Sequence, residues 1–326
     1  MSAPRGRRRA ALAALTAAVV AAVAGGATWS AFSATTTNAS SLSGAPDFTA
    51  PTVSANTIAK PTGYTPNYIK QGGSYYVYAN VADTGNPASG IATVKADVGN
   101  VTTGQTALTM TAGTYTAGGV SYNYRSALQT ANAGLSAGSK AYTLTTTDVA
   151  GNSKLWSGSS VNVDNTAPTI AGADYQTQNK AGGTAGKMET GDTFTLTFGD
   201  TMDPDSILGG WTGAPLTVTV RATNNGTSDY VEVYNSAGTT LANLGAAGVA
   251  NRLSGNVDFT ASSMVQAGAA VTVTLGTPTV PSNLSTRGGS ALQWSPSTGA
   301  YDRAGNPFST SAGTLVTESG SNDTDF

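Results

Sequence analysis

The chain has 326 residues, a net charge of −2, no Cys and no His, and 10% charged side chains against 39% apolar ones. Without His or Cys, a Ser-His-Asp triad, a Cys-His pair and an ordinary zinc site are excluded. The acidic balance leaves no basic patch for nucleic acid, and the apolar share with 13 Tyr argues for packed cores rather than disorder.

Taken in chain order, the first feature is a leader. Arg5, Arg7, Arg8 and Arg9 run into an Ala/Val/Leu stretch from Ala10 to Val23, followed by small residues from Gly25 to Ala34. A cationic start, an apolar segment and small residues behind it make an export signal, a signal helix that stands outside the fold proper. Removing residues 1–30 takes away those four arginines and no acid, so the charge moves from −2 to −6. Gly25-Gly-Ala-Thr-Trp-Ser-Ala-Phe32 resembles the end of the signal in the TasA/camelysin group of exported bacterial surface proteins, which a SipW-type signal peptidase cuts. The resemblance implies cleavage between Ser30 and Ala31, with that peptidase as a partner during export. Two alternatives stand beside it. One is cutting after Ala27 by the ordinary peptidase; the other is an uncleaved anchor, because the apolar run approaches the ~20 residues that span a bilayer. Residues 31–47 then read as a Ser/Thr/Ala-rich arm.

Beyond the leader the good helix formers are scarce, and Thr, Val and Tyr favour pleated strands. An internal echo divides this region: Thr-Ala-Pro-Thr occurs at Thr49 and at Thr166, and Asp-x-Ala-Gly-Asn at Asp148 and at Asp302. Each unit opens on one and carries the other near its end. The reading is two consecutive antiparallel β-sandwiches, 48–166 and 167–318, before a disordered acidic tail, 319–326.

In the first unit, alternation from Ser74 to Val81 puts Tyr75, Val77, Ala79 and Val81 on one face. Further short strands are expected over Ile91 to Val98, Ala107 to Thr111, Val120 to Tyr124, Thr143 to Thr147 and Ser160 to Val163. Leu135, Gly138 and Tyr142 resemble the tyrosine corner of Ig-like sandwiches; the alternative is one more core-facing aromatic. "Asp148-Val-Ala-Gly-Asn … Val161-Asn-Val-Asp-Asn-Thr-Ala-Pro168" resembles the end of bacterial Ig-like repeats, which occur in tandem in surface adhesins and in accessory regions of exported enzymes.

In the second unit, strands are expected over Gly191 to Phe198, Leu216 to Val220, Tyr230 to Tyr234, Val257 to Phe259 and Val271 to Leu275, with a weak helical signal over Leu241 to Leu253. Phe198-Gly-Asp-Thr-Met202-Asp-Pro-Asp-Ser-Ile207 resembles the start of an SbsA-type Ig-like domain, although Asp200-Thr201 stands where that family carries Glu-Pro or Lys-Pro. The resemblances imply Ig-like topology for both units.

Chemistry is thinly represented. The mature chain has three Glu (Glu189, Glu232, Glu318), and its Asp residues sit mostly beside Gly, Asn or Pro, where turn roles account for them. No catalytic residue is assigned, and no enzyme activity is expected. Asp200, Asp203 and Asp205 form a candidate calcium loop without the Gly and Glu of an EF-hand. The competing reading is a turn begun by Asp203 and Pro204, which makes stability indifferent to chelator, with no cofactor. Asp83 with the Asp148 turn is a second cluster. Tyr64, Tyr68, Trp156, Trp211 and Trp294, flanked by loop-forming residues, are candidates for a sugar-binding surface.

The expectation is an exported, non-enzymatic structural or adhesive protein of a bacterial surface or extracellular matrix. Its partners would be surface or matrix proteins or glycans, with self-assembly through edge strands or the N-terminal arm. The alternative is a carbohydrate-binding surface protein or an accessory module of an exported enzyme system.

Overall fold

The computed structural model describes residues 46–309, 314–319 and 324–326. The leader, the Ser30–Ala31 bond and nearly all of the 31–47 arm lie outside the described residues. The described chain is almost entirely β, as its composition requires, and strand pairing stays within two segments. Each segment forms one large sheet wrapped around its own core.

The first body contains β1 (Thr52–Ala59), β2 (Tyr68–Ile69), β3 (Ser74–Ala82), β4 (Ile91–Asp97), β5 (Leu108–Ala117), β6 (Val120–Ser126), β7 (Gln129–Thr130), β8 (Gly138–Asp148) and β9 (Ser153–Val163). Their order is β1-β3-β6-β5-β4-β8-β9-β2, with β7 on β3, and only β2–β9 is parallel. Strand β5 makes the corner: Leu108 and Thr109 pair with β4, whereas Met110 onward pairs with β6. The sheet thereby folds over itself into two layers. Tyr75, Val77, Ala79 and Val81 of β3 all point into the core, as their alternation requires, and meet Val94 and Ala96 of β4, Leu144 of β8 and Val161 of β9.

Tyr142 lies in that core too. Its phenol donates to Asn56 Oδ1 at 2.6 Å, joining β8 to β1. The hydroxyl spans the two layers rather than tying a loop to its own next strand, so the aromatic serves as an inter-layer staple. Trp156 Nε1 donates to Thr146 Oγ1, which in turn donates to the Pro51 carbonyl.

The second body contains β10 (Asp174–Gln178), β11 (Thr193–Thr197), a single helical turn α1 (Pro204–Ile207), β12 (Leu216–Thr223), β13 (Asp229–Asn235), β14 (Ala246–Ala250), β15 (Val257–Ala267), β16 (Ala270–Thr274), β17 (Thr277–Pro278), β18 (Gln293–Ser295) and β19 (Val316–Thr317). The order is β10-β11-β16-β15-β12-β13-β14-β18-β19, with β17 on β15. A bulge in β15, where Thr260 and Ala261 stand opposite Thr219 of β12, bends the bulged strand, and Ala261 takes a positive φ of 55°. The two ends of the sheet approach each other: Thr177 on β10 donates its N–H and hydroxyl to Glu318, next to β19. The body is barrel-like around Trp294, whose ring stands edge-on to Phe198 at 5.0 Å and whose Nε1 donates to the Leu244 carbonyl.

Two expectations change here. Leu241 to Leu253 is not helical; β14 occupies its middle and pairs with β13 and β18. Gly245 and Gly248 weaken a helix, and the alternating burial of Ala247 and Val249 suits a strand. Of the polar tail, the described Phe326 lies in the core, fully buried with its ring edge-on to Phe194, because burial of an aromatic ring is strongly favourable.

Candidate functional site

The Asp residues that the sequence presents as separate turns converge into two triads. Asp47, Asp83 and Asp148 form one and Asp164, Asp200 and Asp302 the other, with one carboxylate oxygen of each residue within 4.8 Å of the others in its triad. The triads correspond position by position. Asp164 and Asp200 follow Asp47 and Asp83 by 117 residues each, and Asp148 and Asp302 each open an Asp-x-Ala-Gly-Asn turn. The turn needs its glycine: Gly151 and Gly305 take φ of 94° and 92°, a region L side chains avoid.

The turn asparagine stitches each unit shut. Asn152 Nδ2 donates to Asp148 Oδ2 at 2.7 Å and to the Asp47 carbonyl at 2.9 Å. Asn306 Nδ2 donates to Asp302 Oδ2 and to the Asp164 carbonyl, both at 2.9 Å. Like charges so close repel, and backbone N–H groups offset this. Thr49 and Ser89 donate to Asp47 and hold its carboxyl below the usual range. Asp83 accepts from Gly85 and Gly90. At Asp302, burial outweighs donation from Asn306 and Ala304, and the carboxyl is raised. Chemically, three convergent carboxylates are the beginning of a hard-cation site, but they supply only part of the six to eight oxygens that calcium takes.

The candidate calcium loop Asp200, Asp203, Asp205 is not assembled as such. Asp200 joins the second triad, with the Arg303 guanidinium 3.8 Å away. Asp205 accepts from the Gly210 N–H. Asp203 caps α1, accepting from the Asp205 N–H, and turns toward the first body. Asp83 and the Asp148 turn do come together, and Asp47 completes the set.

Asp203 is the centre of the junction between the two bodies. Fully buried, it receives the Lys60 ammonium at 2.9 Å and the N–H groups of Tyr64 and Thr65 at 2.8 and 3.1 Å. Lys60, itself 9% exposed, also donates to the carbonyls of Arg303 and Thr65. Gly63 is required here: its φ is 99°, and a Cβ would lie 2.6 Å from Asp203 Oδ2. Around this pair, Lys70 donates to the Gly305 carbonyl, and Arg303 stacks on Tyr68 at 4.2 Å while bonding its hydroxyl. Nothing in the sequence singles out Lys60. Its partner lies 143 positions away, and only the capping pattern Asp203-Pro204 hinted that this aspartate was special.

The aromatic candidates divide. Trp211 and Trp294 are buried in the second core, with both indole N–H groups bonded to carbonyls, and offer no face to a sugar. Tyr64 and Tyr68 belong to the junction. Trp156 is half-buried under the Lys154 ammonium, 4.0 Å from its ring. Among the described residues no helix is long and apolar enough to cross a membrane.

No family model, no curated protein and no solved structure matches the chain.

Proposed function

We propose that the chain is an exported, non-enzymatic structural or adhesive protein of a bacterial surface or matrix, built as two β-bodies held in series. The observation that carries this reading is the buried Lys60–Asp203 pair at the junction. A hinge for catalysis or a loose linker would leave such charges in water. Burying them fixes the angle between two bodies, which suits a load-bearing or spacing element. The leader of residues 1–30 supports export, and its resemblance to matrix-protein signals supports a surface location. A chain without His or Cys supports a role that needs no reactive centre.

The test is made on the producing cell. Fractionation with an antibody should find the protein outside, beginning at Ala31, and deletion of the gene should alter cell aggregation or attachment. Protein confined to the cytoplasm, or a deletion strain whose defect is the loss of a small-molecule conversion, would overturn the reading.

A further inference from the structure

The two triads sit in the same framework but differ in what lies over them. At the second, the residue after Asp302 is Arg303, whose carbonyl receives Lys60, and the residue after Asp164 is Asn165. The Asn165 side chain accepts from the Gln71 N–H and donates to the Leu135 carbonyl of the first body. This end of the second body is thus a docking face, and its occupant is the lysine-bearing loop after β1.

Among the described residues, the corresponding end of the first body is exposed. After Asp47 and Asp148 come Phe48 and Val149, 80% and 69% exposed. Asn86-Pro87 stands 117 residues before Asp203-Pro204, and Asn86 is exposed where Asp203 is buried against Lys60. An end with the same framework, two uncovered apolar side chains and an acidic floor has the chemistry of an interface without its partner.

The chain contains a second loop of the fitting kind. Lys180 is the first lysine after β10, as Lys60 is after β1, and it lies in an exposed turn. Among the described residues its ammonium reaches the Thr190 carbonyl at 3.0 Å and Glu189 at 3.9 Å. The Lys60 loop is already engaged within the molecule, so of these two corresponding loops the Lys180 loop is the one open to a second molecule.

We propose that the Asp47/Asp83/Asp148 end of one copy, through Phe48, Val149 and Asn86, receives the Lys180 loop of a second copy, repeating the internal junction head to tail. Such a contact is heterologous, so it does not close on itself and extends into a filament. The inference goes beyond the proposed function and does not depend on where the protein is located.

The experiment is sedimentation velocity of the full-length protein over a range of concentrations, with two blocked variants. Phe48→Ser with Val149→Lys spoils the front end; Lys180→Glu spoils the back, with Lys180→Ala as a milder substitute should the reversal disturb the loop. The wild type is expected to form a concentration-dependent ladder, and each variant alone to stay monomeric. An equimolar mixture, in which each variant keeps one good end, is expected to give dimers and nothing larger. Asn86→Asp restores the carboxylate used at the internal junction and should tighten association roughly tenfold. A wild type monomeric at every concentration, a blocked variant that still assembles like the wild type, or a mixture that does not pair would each overturn the proposal. A monomeric protein found outside the cell would refute assembly and leave the surface role standing.

Discussion

Asn152 and Asn306 hold the same place in the two bodies: each side-chain amide joins the aspartate that opens its own turn to the backbone of the aspartate that opens its unit. The two echoes visible in the sequence are therefore the two halves of one contact. An opening segment and a closing turn, about a hundred residues or more apart, meet over three carboxylates.

Removing that amide should be costly in both bodies. Asn306→Ala loses two donations in a buried setting, one to a carboxylate, and is expected to destabilise by about 2–3 kcal/mol. Asn152→Ala, less buried, should cost about 1–2 kcal/mol. Urea denaturation of the two variants checks the order; equal, negligible effects would deny the asparagines a structural role.

At the junction, Lys60→Met leaves the Asp203 carboxylate buried with its backbone donors but without its counter-charge. Breaking one side of a buried pair costs about 3–5 kcal/mol. A double-mutant cycle with Asp203→Asn should show coupling of about 1–3 kcal/mol. Coupling near zero would mean that the two side chains contribute independently.

Alkaline pH offers a third check. Burial pushes the Tyr142 phenol well above its ordinary value of 10.0, which the unfolded chain retains. The stability linked to this group is present in full below pH 10 and is lost as the pH rises from there toward the folded-state value. Tyr142→Phe forfeits the bond to Asn56, about 1 kcal/mol at neutral pH, yet should show a shallower alkaline decline. A variant with the wild-type slope would contradict the assignment.

Trp294 tests the second core. Truncation to Ala removes a fully buried indole, its contact with Phe198 and its bond to Leu244, and should cost about 3–5 kcal/mol. A smaller loss, seen in thermal or urea unfolding, would mean that the barrel collapses readily around the vacancy.

How much of this was legible beforehand follows from the range of the forces involved. The inward set Tyr75, Val77, Ala79 and Val81 was readable because a strand's two-residue period is local. The closing turns were readable because Gly151 and Gly305 need a backbone that only glycine adopts easily. Strand β14 is hidden because its three alanines and one glycine carry no period of their own; its partners β13 and β18 decide its state. The triads lie half in view: the sequence marks Asp83 with the Asp148 turn, Asp200 and the Asp302 turn, but the meeting of Asp47 with Asp148 and of Asp164 with Asp302 needs the closed sheets. Lys60 was invisible, because nothing near it in the chain marks a lysine that will be buried.

The most direct measurement of the central claim is a distance between the two bodies. The absence of Cys permits two spin labels, at Leu155→Cys in the first body and Leu241→Cys in the second, both at exposed positions. Pulsed electron resonance is predicted to give one narrow distance distribution that broadens when Lys60→Met is added. A broad distribution in the otherwise unaltered protein would contradict a fixed junction.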